Sequence, residues 1–283
     1  MLLVLTVDLT RIDRHMPRVS VLTAAHAPGA AFLAETAESI LTQELPPGWD
    51  LEWIVQQDGV GSIASLLPDD ARVRLDVNGA QLGAATTRNL ALSRARGTLL
   101  QNLDADDLLL PGAIAHQINV FEVNDNIHWA IGQADDLMPD GSRRTFPPDL
   151  PFGRVEPGAV NAWATDHGGN WPIHCAGLMY RTASLRALGG WGGLPFDEDL
   201  ALFGTLSEIA SGWSDERFTW LYRQHPDQLI RSGARDRWSE QCRTYVLQRV
   251  RAVRLAGVSI ATAADDLGDV ITVQASRKDP DGL

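Results

Sequence analysis

Between Arg18 and Leu110, short apolar runs alternate with helical patterns, and this alternation constrains the fold more than any other feature of the chain. Val19-Ser20-Val21-Leu22-Thr23 reads as a buried strand running into a Pro28-Gly29 turn, after which Phe32, Leu33, Ala37, Ile40 and Leu41 recur at helical spacing. Leu45-Pro46-Pro47-Gly48 ends that helix, and a second strand from Leu51 stops at Asp58-Gly59. A helical turn over 63–67, a third strand over 73–77, a helix over 83–95 stopped by Gly97, and a fourth strand from Leu99 complete the pattern. Strands separated by helices pair in parallel, and such sheets bind ligands beyond the carboxyl ends of their strands.

The fourth strand runs into Leu103-Asp104-Ala105-Asp106-Asp107-Leu108, a knot of carboxylates set between leucines. In extended backbone, side chains two apart share a face, so Asp104 and Asp106 converge while Asp107 turns aside. Two readings stay open at this point. Hard oxygen ligands suit Mg2+ or Mn2+, whereas a polar turn would use Asp106 or Asp107 to cap a helical segment from Leu108. Asp58 ends its own strand at the same predicted sheet edge, which favours a ligand site.

Downstream, a helix over 114–123 precedes a strand over 127–132 with Asp135-Asp136 after it. Residues 139–169 are rich in Pro, Gly, Asp and Arg, and are expected to form a long loop or flap. A strand over 174–181 and a short helix over 182–188 lead to Gly189-Gly190-Trp191. Phe196-Asp197-Glu198-Asp199 then heads a helix, where carboxylates either satisfy the helix dipole or supply a general base. A final strand over 218–226 ends in Tyr222-Arg223-Gln224-His225, and a helix over 237–255 follows, with a frayed tail from 276. The expected organisation is an N-terminal edge strand or tail over 1–17, a catalytic domain over 18–231 divided near 110, and a helical extension over 232–283.

The net charge of -12 opposes a nucleic-acid partner, because phosphate backbones attract concentrated Lys and Arg. Cys175 and Cys242 stand far apart with no CxxC partner, so core thiols are expected rather than a disulfide framework or zinc site. The opening Met1-Leu2-Leu3-Val4-Leu5-Thr6-Val7 lacks the basic leader of a signal peptide. No apolar run approaches the ~20 residues of a membrane span, and a soluble, cytoplasmic protein is expected.

The order of these motifs resembles the family 2 glycosyltransferases of GT-A fold over roughly residues 18–231. The strand ending at Thr23, the strand ending at Gln57-Asp58-Gly59, the helix bearing Arg88-Asn89, the DxD-like Asp104-Ala105-Asp106, Gly189-Gly190-Trp191 and Glu198-Asp199 follow the family's sequence of elements. The implied fold is a Rossmann-like mixed α/β sheet flanked by helices. The implied substrates are a nucleotide sugar, most often a UDP-sugar, and a small-molecule or glycan acceptor, with Mn2+ or Mg2+ as cofactor. Nucleotide contacts are expected from Thr23, Ala25, His26, Asp58, Arg88 and Asp104, and metal ligation from Asp104, Asp106 and His225. Asp199 is the expected general base of an inverting transfer, with Glu198 orienting it or binding acceptor. Arg223 and Arg231 are candidates for the diphosphate or the acceptor, and Trp163, Trp171 and Trp191 for stacking on a sugar. The chain departs from the family at Ala24-Ala25-His26-Ala27, at Gln57, where one carboxylate of a pair is lost, and at Thr205. A nucleotidyltransferase of related sheet architecture is the alternative, although its phosphate loop would carry a lysine that residues 24–29 lack. A catalytically silent sugar-nucleotide-binding protein is a third reading.

Overall fold

The computed structural model describes residues 16–228, 231 and 233–260. The expected N-terminal strand and C-terminal tail lie outside the described residues. The first half follows the alternation read from the sequence. It comprises β1 (Arg18–Ala25), α1 (Leu33–Leu41), β2 (Asp50–Gln57), β3 (Val73–Val77), α2 (Ala84–Arg94), β4 (Leu99–Asn102), the two-residue β5 (Leu108–Leu109) and α3 (Ala113–Val123). The second half comprises β6 (Trp129–Leu137), β7 (Arg143–Thr145), β8 (Gly153–Val155), α4 (Ala159–Asp166), β9 (Met179–Arg181), α5 (Thr182–Ala187), α6 (Glu198–Ile209), β10 (Gly212–Arg223) and α7 (Gly233–Ala256).

One mixed sheet runs in the order β3-β2-β1-β4-β9-β6-β10-β5, with β7 against β6 and β8 against β10. β3, β2, β1 and β4 are parallel, β9 is antiparallel to both β4 and β6, and β6 returns to parallel pairing with β10. Strand side chains alternate between faces. Val19, Val21, Trp53 and Val55 therefore join one core with Leu33 and Ile40 of α1 and Ile114 and Ile118 of α3. Leu22, Ile54 and Leu100 face the other core, against Ala91 of α2 and Leu202, Phe203 and Leu206 of α6. Trp53, Trp129 and Phe203 are fully buried, and each such side chain stabilises the fold by roughly 1.5–3 kcal/mol. No helix among the described residues is long and apolar enough to cross a membrane.

Several expectations are corrected in the second half. Residues 139–169 are not a structureless flap, since they contain β7, β8 and α4. All of β7 is exposed, and ion pairs with β6 hold it: Arg143 to Asp135 at 2.6 Å and Arg144 to Asp136 at 2.5 Å. Asp135 and Asp136 accordingly lie within β6 rather than after it. The predicted strand over 174–181 begins with a single tight turn over Cys175–Gly177 and is extended only from Met179. Trp220 presses on that turn so closely that a Cβ on Gly177 would sit 2.0 Å from the indole Nε1.

Candidate active site

The carboxyl ends of β1, β2 and β4 open onto one edge of the sheet, where α6 and the end of β10 meet them. Asp58, just beyond β2, accepts hydrogen bonds at Oδ1 from Leu82 N–H (2.6 Å) and Asn78 Nδ2 (3.0 Å), and at Oδ2 from Gly83 N–H (3.0 Å). Burial alone would raise this carboxyl, but those donors outweigh it and hold the group below its ordinary value. Asp58 thereby fastens the segment leading into α2. Its carboxylate lies at the expected edge, with three donors of its own chain already on it.

Thr23 is fully buried, and its hydroxyl donates to Leu103 O at 2.9 Å and accepts from Trp53 Nε1 at 3.0 Å, so the side chain braces the strand ends. The Ala25 methyl belongs to the core, and its carbonyl accepts from Asp58 N–H at 2.7 Å. His26 is only partly buried, and its ring lies over Gly29.

Residues 104–107 form a turn rather than extended backbone, with Asp107 N–H donating to Asp104 O at 3.2 Å. Asp104 and Asp106 consequently go to different partners. Asp104 Oδ1 accepts from Arg88 Nη2 at 2.8 Å, while Asp106 Oδ2 lies 2.8 Å from His225 Nε2. Asp107 caps nothing. It is fully buried, and its Oδ1 accepts the backbone N–H of Arg223 at 2.9 Å, while α3 starts after Gly112. Burial raises Asp106, and the neighbouring Asp104 adds to this against the opposing effect of His225. Burial likewise pushes Asp107 well above the usual carboxylate range, with Asp106 and Asp104 contributing.

Arg223 ties this turn down. Its Nε donates to Asp106 O at 2.8 Å, its Nη2 meets Glu35 of α1 at 2.7 Å, and its guanidinium rests 4.2 Å from the Phe32 ring centroid. Phe32 in turn lies 5.2 Å from the His225 ring. The arginine expected at a diphosphate or acceptor thus holds the acidic turn, a role with no local sequence signal. Arg231 Nη2 donates to Gln224 Oε1 at 2.6 Å.

Across the cleft, Glu198 and Asp199 begin α6, behind Asp197 with its left-handed φ of 55°. The Arg88 guanidinium is buried between the two halves of the site, with Asp104 on one side and Glu198 in a short ion pair on the other. Burial opposes its charge, but Asp104, Glu198 and Asp199 outweigh burial and keep it protonated. Asp199 accepts the Leu200 N–H at Oδ1 (2.7 Å). Burial raises Asp199, Arg88 pulls the other way, and Asp104 and Asp197 add to the rise. A half-buried carboxylate with a raised pKa, next to a fixed cation, can accept a proton from a hydroxyl. Among the described residues no group of three or more His, Cys, Asp or Glu side chains is assembled as a metal cage. Asp106 and His225 are the pair that does converge.

Of the three candidate tryptophans, Trp191 is buried, Trp171 donates to Asn161 Oδ1 at 3.0 Å, and Trp163 stacks on His167 with centroids 3.6 Å apart.

The family model for Glycosyl transferase family 2 matches residues 20–181. An uncharacterized glycosyltransferase of Methanocaldococcus jannaschii, MJ1057, is 32% identical over 117 residues, which is 39% of this chain and 39% of that protein. The uncharacterized protein y4gI of Sinorhizobium fredii is 28% identical over 148 residues, 50% of this chain and 16% of that protein. The matches thus span well under two thirds of either relative. Among solved structures, that of S. aureus TarS residues 1–349 in complex with UDP-GlcNAc superposes with a TM-score of 0.62 at 14% identity, covering 87% of this chain and 68% of that one. Its complex with UDP gives a TM-score of 0.58 over 87% of this chain and 67% of that one, also at 14% identity. At that identity the likeness shows the fold alone, a mixed α/β sheet of GT-A type with a helical extension. With more than half its length matched by the family model, the chain belongs to glycosyltransferase family 2.

Proposed function

We propose that this chain transfers a sugar from a UDP-sugar to a hydroxyl of a small-molecule or glycan acceptor, with inversion and with dependence on a divalent metal. The observation that carries the proposal is the single buried guanidinium of Arg88, which joins the acidic turn at Asp104 to the head of α6 at Glu198. Donor-side and acceptor-side carboxylates are thereby held in one frame. The TarS structures that share this fold include complexes with UDP and with UDP-GlcNAc, which favours a uridine nucleotide here.

The residues of the acidic turn fit a metal of partial protein ligation. Asp106 and His225 converge from β4 and β10 sides of the cleft, and the crowding that raises Asp106 and Asp107 is relieved by a nearby cation. Mg2+ and its relatives are commonly held by one or two side chains with substrate phosphates completing the shell. A divalent cation there supplies stabilisation of the negative charge on a departing diphosphate. Asp104, kept in place by Arg88, faces the same nucleotide. Asp199 takes the proton of the acceptor hydroxyl as its oxygen attacks the anomeric carbon, and Glu198 acts through Arg88 as a positioning residue. One base on the face opposite the leaving group yields inversion.

The test is calorimetric titration with UDP and UDP-sugars in the presence of Mn2+, followed by UDP release with the sugar that binds. Asp199→Asn is expected to retain UDP affinity and to lose about 10²–10⁴-fold in turnover. Near-normal turnover of that variant would remove Asp199 from its role, and failure of every UDP-sugar to bind would remove the donor assignment.

A further inference from the structure

On the acceptor side of the cleft a cavity of about 170 Å³ lies between the β6–β10 surface and the segment that follows β7. Small-ligand pockets ordinarily begin near ~300 Å³, so this one is too small for a nucleotide sugar and admits a single ring. Its lining includes Phe146, His174 and the edge of the buried Trp220. The imidazole of His174 is exposed in the cavity, with its centroid 4.3 Å from the Tyr222 ring and 5.3 Å from Trp220. Tyr222, whose ring it touches, precedes Arg223, whose Nε donates to Asp106 O at 2.8 Å, so the cavity adjoins the acidic turn.

Two features give it chemical character. Pro147, Pro148 and Pro151 fix the backbone on either side of Asp149 and Leu150, so the wall is stiff before any ligand arrives. Phe146 is half exposed, and the Arg144 guanidinium rests on its ring at 5.0 Å while pairing with Asp136. The lining carries the amide of Gln133, the carboxylate of Asp149 and the hydroxyl of Ser214, but no Lys or Arg. A lining that mixes aromatic rings with hydrogen-bonding groups matches a pyranose, whose C–H face lies flat on a ring and whose edge is hydroxyl. An anionic group would meet the Asp149 carboxylate, and the Arg144 cation beside Phe146 is already paired with Asp136.

We propose that this cavity is an acceptor subsite for one uncharged sugar ring, held between Phe146 and His174 with its polar edge towards Gln133, Asp149 and Ser214. The proposal rests on the glycosyl-transfer reading and names the class of its acceptor.

Neutral methyl hexopyranosides and N-acetylhexosaminides, with methyl glucuronide as the charged control, are titrated against the full chain by saturation-transfer NMR, and UDP affinity is measured on the same samples. Saturable binding of a neutral glycoside is expected, at least tenfold tighter than the glucuronide. Phe146→Ala and His174→Gln are each expected to weaken it by about fivefold, with UDP affinity unchanged. Phe146 is exposed enough that its truncation spares the fold, and thermal melting verifies this for both variants. No saturable glycoside binding, equal binding by both variants, or preference for the glucuronide overturns the subsite. Loss of UDP binding by the unsubstituted chain strikes the donor assignment instead, so the two failures are distinguishable.

Discussion

Arg88 Nη2 donates to Asp104 Oδ1 at 2.8 Å while the other arm of the same guanidinium pairs with Glu198, 110 residues away in the chain. Both partners of the Arg88–Glu198 pair are almost fully withdrawn from water, with side-chain exposures of 9% and 11%. Removing one member of a buried pair leaves the other charge uncompensated and costs about 3–5 kcal/mol. Arg88→Ala should therefore lose stability of that order in urea denaturation, and adding Glu198→Gln should recover a large part of it. UDP affinity should fall in both, because Asp104 loses its anchor in both. Additive losses in the double variant would show that the pair is not coupled.

Asp106 and His225 make a different forecast, one about metal dependence. With their polar atoms 2.8 Å apart, they would hold the proposed cation as a pair, since among the described residues no third His, Cys, Asp or Glu completes a cage. Asp106→Ala should abolish the enhancement of UDP affinity by Mn2+, and His225→Ala should raise the Mn2+ concentration for half-enhancement by about tenfold or more. Arg223→Ala should shift the same midpoint without touching metal-free UDP binding, since it removes the guanidinium bond to the Asp106 carbonyl while the backbone N–H of residue 223 still holds the Asp107 carboxylate. Identical UDP isotherms with and without Mn2+ in the unsubstituted chain would end the metal assignment.

The first half of the fold was legible because each of its elements carries its own signal. β1 and β2 alternate core-facing side chains on both faces, and the turn residues Pro28, Gly48 and Gly97 punctuate them. The strands β7 and β8 carry no such signal. They are three residues long, β7 buries nothing, and the ion pairs that hold β7 join residues eight apart through a hairpin that no apolar period announces. Asp107 shows the same limit within the site. Its partner is a backbone N–H 116 residues away, so a local rule for helix caps was the wrong rule. Thr23 likewise gives its hydroxyl to the carbonyl of Leu103 and receives the indole N–H of Trp53, partners 80 and 30 residues away that no local pattern announces. The position of the carboxylates was readable, because the turn that holds them follows directly from the end of β4.

His128 provides a pH forecast with a definite sign. It is buried on the loop before β6, with Nδ1 2.9 Å from Ser184 Oγ. Burial, with the Arg181 cation adding to it, lowers its pKa to about 4. The unfolded chain takes up this proton near pH ~6.5, and the folded chain only near 4. Between those values the unfolded state binds more protons, so the stability His128 contributes is present above the unfolded pKa and is lost as pH falls towards 4. The span limits the loss to about 3 kcal/mol. His128→Gln does not titrate and can keep the contact with Ser184. The stability of the parent relative to His128→Gln should therefore fall progressively, by up to about 3 kcal/mol, from pH 7 to pH 4, and a constant difference would show that His128 does not titrate as described.

Gly177 tests the packing beneath the cleft. A Cβ there would lie 2.0 Å from Trp220 Nε1 and 2.3 Å from Cε2, and Trp220 is 1% exposed. Overpacking of a filled core forces side chains off their rotamers and usually costs 1–3 kcal/mol. Gly177→Ala should therefore lower the urea midpoint by at least that equivalent and perturb the fluorescence of the displaced indole. Gly193 makes the matched comparison, because a Cβ there would meet nothing within 4 Å and its φ is not in the left-handed region. Gly193→Ala should stay within about 0.5 kcal/mol of the parent. Equal effects of the two substitutions would mean that the glycine before β9 is tolerated for its backbone alone, and that the close approach of Trp220 to this turn does not select it.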